Sequence, residues 1–466
     1  MNHHVVVVGG GITGLTTAFS VLVNANENIS VSLLEASSST GGLIRTSPFA
    51  GLDAVDEGAD SFLMRVPFAH DLARDVGLAA ALTSPTNAHA AVWHERLHPI
   101  PQALVLGVPA GMSSIAFGSL LSNSAKLRAS LDVVLPRRKT EHDCLGAAVR
   151  ARFGRQVNER LVDPLIGSIY AADTDNFSLE AVPQVAALAT ERSMLLAARK
   201  TRSAATATGP VFVAPLRGMG ALTSAVRERF ESFGGHIRTG ARVTSVARGD
   251  AGRYSVAYVD EHGHSQIDAH AVVLATPARH TADIVRSLDK EVADYLSTRV
   301  HASVALITVQ VPKNQWKSSL NGSGYLVPKP DQRWVTAASF GSNKWAHWVP
   351  SDDSVILRVS LGRDGLDVMH HDDQTLVNLM LADLKRHLGV DLQPTTCRIS
   401  RWPESFPQYR PHHFASLARA ERALASAAPG VFLAGASYRG IGIPACVQQA
   451  RTAAAAALDH VGSTRT

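Results

Sequence analysis

The stretch Val5-Val6-Val7-Val8-Gly9-Gly10-Gly11-Ile12-Thr13-Gly14 decides the fold. Four β-branched residues in a row predict a strand buried on both faces of a parallel sheet. Glycines at 9, 11 and 14 then let the chain turn tightly, let a pyrophosphate approach the main chain, and let a helix pack on the sheet with the phosphate at its N-terminus. Leu15 to Leu22 carries apolar residues at helical spacing, and Ile29 to Leu34 reads as a second strand ending at Glu35, whose carboxylate can accept hydrogen bonds from an adenosine ribose. A glycine-rich turn alone is weak evidence. A turn that follows a strand, opens a helix and is answered by an acidic residue about 20 positions on is a dinucleotide-binding βαβ unit. The expected fold class is α/β, with α+β character over the whole chain.

A second pair of residues without Cβ, Gly41-Gly42, follows Glu35-Ala36-Ser37-Ser38-Ser39-Thr40 and allows another backbone approach to a diphosphate. Near the other end, Leu433-Ala434-Gly435-Ala436-Ser437-Tyr438-Arg439-Gly440-Ile441-Gly442-Ile443-Pro444 again sets glycine backbone before a helix. Two glycine sites so far apart imply one extended ligand. With Gly41-Gly42 after the acidic residue, the chain resembles the FAD-containing amine oxidase-like superfamily, which implies a held flavin rather than exchangeable NAD.

More local stretches extend the resemblance over nearly the whole chain. They are Gly58-Ala59-Asp60-Ser61-Phe62-Leu63, Val162 to Ala171, Gly322 to Pro328, Ser342-Asn343-Lys344-Trp345, Arg401 to Tyr409 and Tyr438 to Pro444. In that order they are similar to the protoporphyrinogen/coproporphyrinogen oxidase family. The resemblance implies a Rossmann-like FAD-binding domain, an antiparallel-sheet substrate domain and a helical domain. It also implies non-covalent FAD lined by Gly9, Gly10, Gly11, Ile12, Thr13, Gly14, Glu35, Ala36, Gly41, Gly42, Leu43, Gly58, Ala59, Asp60, Ser61, Val243, Trp402, Ile441, Gly442 and Ile443, with Ile169 and Tyr170 on the substrate side. The chain departs from the family where Leu43 replaces a basic residue, Ala450 a glycine, and Ser168 the glycine of Gly-Ile-Tyr.

The implied reaction is a six-electron oxidation of a porphyrinogen by molecular oxygen in haem biosynthesis, with hydrogen peroxide as by-product. A pyrrole nitrogen pushes electrons as hydride leaves the bridge carbon, so the protein supplies orientation and water exclusion. No catalytic residue is assigned. Coproporphyrinogen III is the favoured substrate, as in the soluble Gram-positive enzymes that the glycine motif resembles. Protoporphyrinogen IX oxidation, amine oxidation, and a flavin-free chaperone resembling the Rab GDP-dissociation inhibitors are the competing readings. A ferrochelatase or another haem-pathway enzyme is the partner the resemblance suggests, and Arg65, Lys126, Arg137 and Lys344 are basic candidates for the propionates.

Composition bounds these readings. The 466 residues carry 45 Lys+Arg against 40 Asp+Glu, a net +5, with 45% hydrophobic and 18% charged residues, which excludes a disordered chain. The basic Arg137-Arg138-Lys139 run is a solvated helix end rather than a nucleic-acid footprint. Three scattered cysteines give neither a disulfide framework nor a zinc site, and point to a reducing cytoplasm. No run is long enough to span a bilayer, which leaves only peripheral contact with a membrane.

The organisation expected is discontinuous: residues 1–90, 215–288 and 416–466 bind FAD, 303–415 form a β-rich substrate domain, and 92–203 a helical cover. Residues 58–77 read as helical and 92–100 as a hairpin. Asp352-Asp353, Asp372-Asp373, His370-His371 and His412-His413 read as solvated surface, and His262-Gly263-His264 as a hairpin turn rather than a metal site. Tyr170 either faces the substrate or ends a helix. Trp402 lies near the flavin or in the core, and Cys446 is a buried small hydrophobe rather than a flavin attachment.

Overall fold

The computed structural model describes residues 3–25, 28–101, 103–116, 118–135, 143–204 and 209–463; the Arg137-Arg138-Lys139 run lies outside them. The valine run forms the strand His3–Val8, central in a five-stranded sheet. Its order is His236–Arg238, Ile29–Leu34, His3–Val8, Ala271–Leu274 and Val431–Leu433, with every neighbouring pair parallel. Val5 and Val7 pack on one face, with the helices Ile12–Asn24, Gly220–Ser232 and Ile443–Ser463. Val6 and Val8 pack on the other, against Ala278–Val285, Lys290–Ser297 and His413–Ala427. Both faces are covered, which is why the run does not alternate with polar residues; each buried valine contributes about 1.5 to 3 kcal/mol.

A seven-stranded sheet forms the second layer, in the order Thr396–Pro407, His301–Pro312, Ser354–Leu361, Val335–Ser339, Gly324–Leu326, Ala90–His94 and Arg96–Pro99. All its pairs are antiparallel except Gly324–Leu326 with Ala90–Val92. The helix Asp373–Leu388, capped by Asp372 accepting from the Thr375 amide at 2.7 Å, closes its core through Leu376, Met380 and Leu384. A third core joins helices between residues 112 and 204 around Phe153, Leu161 and Phe177. Among the described residues no helix is long and apolar enough to cross a membrane.

Several local expectations change. The helix expected over 58–77 covers only Pro67–Asp75, because Val66 is held extended before a proline that starts the helix. The segment 236–246 is two strands in different sheets, parted at Gly240 with φ +69°. The expected hairpin turns at Glu95, and its strands extend the edge of the large sheet rather than joining the helices after it. The edge strand Thr396–Pro407 was not anticipated, since Pro403 and Pro407 mask it; an edge position tolerates both.

Candidate functional site

The two N-terminal glycine turns meet. The Gly41 amide donates to the Gly10 carbonyl at 2.8 Å, and Gly11 and Gly41 form a parallel bridge. A Cβ on Gly14 would lie 1.8 Å from the Gly9 oxygen, and one on Gly42, at φ +60°, 3.1 Å from Gly11 Cα. Backbones this close have no room for side chains. Gly9 and Gly11 are half-buried, Gly10, Ile12, Thr13 and Gly41 buried, and Gly42, Leu43 and Ala59 exposed, so parts of this glycine edge remain accessible.

Glu35 stands at one end of this edge, its Oε2 accepting from the Gly10 amide at 2.5 Å and its Oε1 from Ser37 at 2.7 Å. The carboxylate is oriented by the main chain and keeps lone pairs for ribose hydroxyls. Ala36 beside it is exposed. The Ala241 amide donates to the Glu35 carbonyl at 2.8 Å, which brings half-buried Val243 close to the same strand end.

The C-terminal glycines arrive from above the first helix. A Cβ on Gly435 would be 3.8 Å from Thr13 Oγ1, so segments near the two chain ends touch there. Ile441 is half-buried, Gly442 exposed and Ile443 buried as the last helix begins. Amides at a helix start suit an electron-rich or anionic ligand group.

The Gly58–Ser61 turn completes the line. A Cβ on Gly58 would sit 2.7 Å from the Leu43 oxygen and 3.4 Å from the Trp402 ring. The Trp402 indole donates to the Glu57 carbonyl at 3.2 Å, and the Arg45 guanidinium lies 5.3 Å over its ring. The Asp60 carboxylate pairs with Lys344 at 2.8 Å and Arg358 at 3.0 Å, while Ser61 donates to it at 3.1 Å. Burial alone would raise the Asp60 pKa; the two cations outweigh it and hold the carboxyl below the usual range. Arg358 also donates to the Gly58 carbonyl at 2.7 Å, so two basic residues of the large sheet layer pin the turn.

Asp56 and Arg358 were not singled out from the sequence, and Tyr409 stood there only as the end of the Arg401 to Tyr409 stretch, with no role given to it. Asp56 is 1% exposed; its Oδ1 accepts from Thr46 at 2.5 Å and the Met219 amide at 2.8 Å, while Oδ2 has no hydrogen-bond partner among the described residues. Burial pushes this carboxyl up to about 6, against the opposing pull of Thr46, Met219 and Arg358. His413 corrects an expectation: half of the His412-His413 pair is buried, with Nε2 2.8 Å from the Tyr438 carbonyl, and burial lowers its pKa to about 4. His412 stands before the helix in a left-handed conformation and is exposed, while His413 opens the helix His413–Ala427 and turns inward.

Ile169 is 44% exposed at the end of the helix Asp163–Tyr170. Tyr170 follows, its ring 5.0 Å from Phe177 and 6.4 Å from Tyr409, with the helix ended by left-handed Ala171. Tyr170 is linked to the C-terminal glycines through Tyr409, whose hydroxyl contacts Ala436 and Gly440. Of the basic candidates, Lys344 is engaged by Asp60, Lys126 donates to the Ala116 carbonyl at 3.0 Å, Arg65 is exposed, and Arg137 lies outside the described residues. Asp352, Asp353, Asp372 and His370 are exposed, and His262 sits in the turn between paired strands.

A close-packed glycine turn, an oriented acidic residue and a second glycine pair define a dinucleotide-dependent enzyme, and the chain belongs to the family of flavin-containing amine oxidoreductases, whose sequence profile matches residues 12–458. It is an oxidoreductase with a flavin cofactor. Within that family it is similar to the coproporphyrinogen III oxidase of Bacillus subtilis strain 168, at 32% identity over 99% of each chain. The chloroplastic protoporphyrinogen oxidase of Oryza sativa subsp. japonica is 26% identical over 98% of this chain and 88% of its own. A crystal structure from Exiguobacterium sp. 255-15, assigned as a protoporphyrinogen oxidase, superposes with a TM-score of 0.86 at 28% identity, covering 98% of this chain and 99% of the other. A reduced UDP-galactopyranose mutase, TM-score 0.71 at 16% identity, shares the fold alone.

Proposed function

We propose that this chain holds FAD without a covalent bond and uses it, with molecular oxygen, to oxidise coproporphyrinogen III to coproporphyrin III. The observation that carries the substrate is the full-length similarity to the Bacillus subtilis coproporphyrinogen III oxidase. The residues fit the flavin: the glycine edge leaves parts of its main chain accessible, Glu35 is aimed for a ribose, and the Ile441 and Gly442 backbone stands at a helix start. Cys446 supports non-covalent binding. Its thiol is buried beside the Gly440 and Ile441 carbonyls, both at 3.7 Å, and burial, opposed by Thr13, pushes it up to about 11, so it stays protonated and unreactive.

When bound, the flavin supplies an acceptor for hydride leaving the methylene bridge of the substrate, and oxygen takes the electrons onward as hydrogen peroxide over three rounds. The chain's own residues orient and enclose. Glu35 would hold the ribose, the Gly9–Gly14 and Gly41–Gly42 backbones the diphosphate, and Trp402 with Ile441 to Ile443, Leu43, Val243 and the Gly58–Ser61 turn would line the rest of the cofactor. Ile169 offers an apolar contact to the tetrapyrrole, with Tyr170 behind it.

In this reading 1–90, 215–288 and 416–466 form the flavin-binding part, 303–415 the substrate sheet, whose edge the hairpin within 92–100 extends, and the remainder of 92–203 the cover. The enzyme works in the cytoplasm and makes peripheral contact with a membrane through the cover, where Leu127 and Val134 are each 67% exposed. Its product passes to a ferrochelatase, since an aromatised ring is ready for metal insertion. Aerobic turnover of the purified protein with coproporphyrinogen III and with protoporphyrinogen IX, read by porphyrin fluorescence and peroxide, tests the assignment. Faster turnover of coproporphyrinogen supports it, and preference for protoporphyrinogen overturns the substrate while keeping the chemistry.

A further inference from the structure

We infer that Tyr409 is a positioning residue of the flavin site: its hydroxyl clips the two ends of the Gly435–Gly440 turn together and so sets the amides that open the last helix. The inference rests on the flavin reading of that helix start. Tyr409 follows the edge strand Thr396–Pro407, and its side chain is 1% exposed. Its hydroxyl donates to the Ala436 carbonyl and accepts from the Gly440 amide at 3.1 Å. One oxygen thus satisfies a half-buried acceptor and a half-buried donor four residues apart, at the two ends of the helical turn Ala436–Arg439.

Gly435 and Gly440 flank the one-turn helix Ala436–Arg439 with φ of +128° and +133°, a region glycine reaches but other residues rarely do, so this short helix is entered and left through conformationally permissive residues that side-chain contacts fix in place. Gln449 ties the same two glycines, its Oε1 accepting from the Gly435 amide at 3.3 Å and its Nε2 donating to the Gly440 carbonyl at 3.5 Å, and His413 holds the Tyr438 carbonyl at 2.8 Å, while the Gly440 amide is left to the Tyr409 hydroxyl. Burial pushes the Tyr409 phenol well above its ordinary value, so it remains a donor at any working pH.

The ring performs a second task. It packs 6.4 Å from Tyr170, 5.9 Å from Phe177 and 4.8 Å from His413, while the Tyr409 carbonyl accepts from the Ser178 amide at 2.8 Å. Gln408 donates to the Tyr170 carbonyl at 3.0 Å. Tyr409 is therefore fixed to the end of the Ile169-Tyr170 helix on one side and grips the flavin turn on the other.

The test is Tyr409→Phe, which keeps the ring and removes the clip, compared with Tyr325→Phe, which removes a buried hydroxyl bonded to His387 at 3.0 Å within the large sheet and its covering helix. Wild-type FAD affinity is measured first; no affinity sinks the flavin reading itself. Given binding, Tyr409→Phe is expected to weaken FAD by about tenfold or more and to change the bound flavin's absorption envelope, with Tyr325→Phe within about twofold of wild type. Equal FAD affinity and an unchanged spectrum in Tyr409→Phe overturn the inference. If Tyr409→Phe does not fold, hydrogen exchange of the Gly440 amide in FAD-free wild type decides: slow exchange supports the clip, and exchange at the rate of an open loop overturns it.

Discussion

Replacing Asp56 by Asn should make the protein's stability less sensitive to pH. Asp56 is a buried carboxyl whose Oδ2 has no partner among the described residues, and burial raises its pKa to about 6 from 3.8. A folded-state pKa above the unfolded one favours the protonated form on folding. The stabilisation is complete below the ordinary carboxylate range and is lost as pH rises through about 6. The full cost of ionising Asp56 in place is about 3 kcal/mol, of which about 1.4 kcal/mol accrues between about pH 5 and pH 8. Asn keeps an oxygen for Thr46 and Met219 but leaves its amide hydrogens unpaired, a cost of about 1 to 3 kcal/mol that does not depend on pH. The sign of the variant's effect at one pH is therefore not diagnostic, and its slope is. Urea unfolding of both proteins across that range should show wild type losing about 1.4 kcal/mol relative to Asp56→Asn as pH rises. A flat difference, or wild type gaining on the variant, would refute the reasoning.

Gly14→Ala should yield protein without bound flavin or no soluble protein, read from the absorbance of the purified material, since the added methyl would lie 1.8 Å from a carbonyl oxygen. Lys344→Met removes one of two cations from buried Asp60 and should lower stability by about 3 kcal/mol in urea. Adding Asp60→Asn to Lys344→Met should recover part of that loss, because the uncompensated charge goes with it. Acid precipitation of the holoenzyme should release all its flavin into the supernatant, and flavin retained on the peptide would mean that a covalent bond forms after all.

The nucleotide half of the site was legible because its chemistry is written in consecutive residues. Val5 to Gly14, Glu35 and Gly41-Gly42 need only local backbone rules to be read, and the meeting of Gly11 with Gly42 follows once strand and helix are placed. The other half depends on contacts between distant segments. Asp60 belongs to a recognisable turn, but its capture by Lys344 and Arg358 joins residues hundreds of positions apart, and no periodicity announces that. Asp56 looks like any strand-end aspartate until the helix beginning at Gly220 closes over it. His413 and Tyr409 were hidden for a related reason: each polar residue sits in a polar stretch, and burial is conferred by Tyr438 and Phe177 arriving from elsewhere. The edge strand Thr396–Pro407 shows the same limit for the fold, because prolines and charges argue against a strand when its edge position is unknown.

The most direct measurement mixes the oxidised, flavin-loaded protein with coproporphyrinogen III in the absence of oxygen and follows the flavin spectrum. The account predicts rapid bleaching, with fluorescent porphyrin appearing in full only when oxygen is admitted. Bleaching by a simple amine but not by the porphyrinogen, or no bleaching by either, would contradict it.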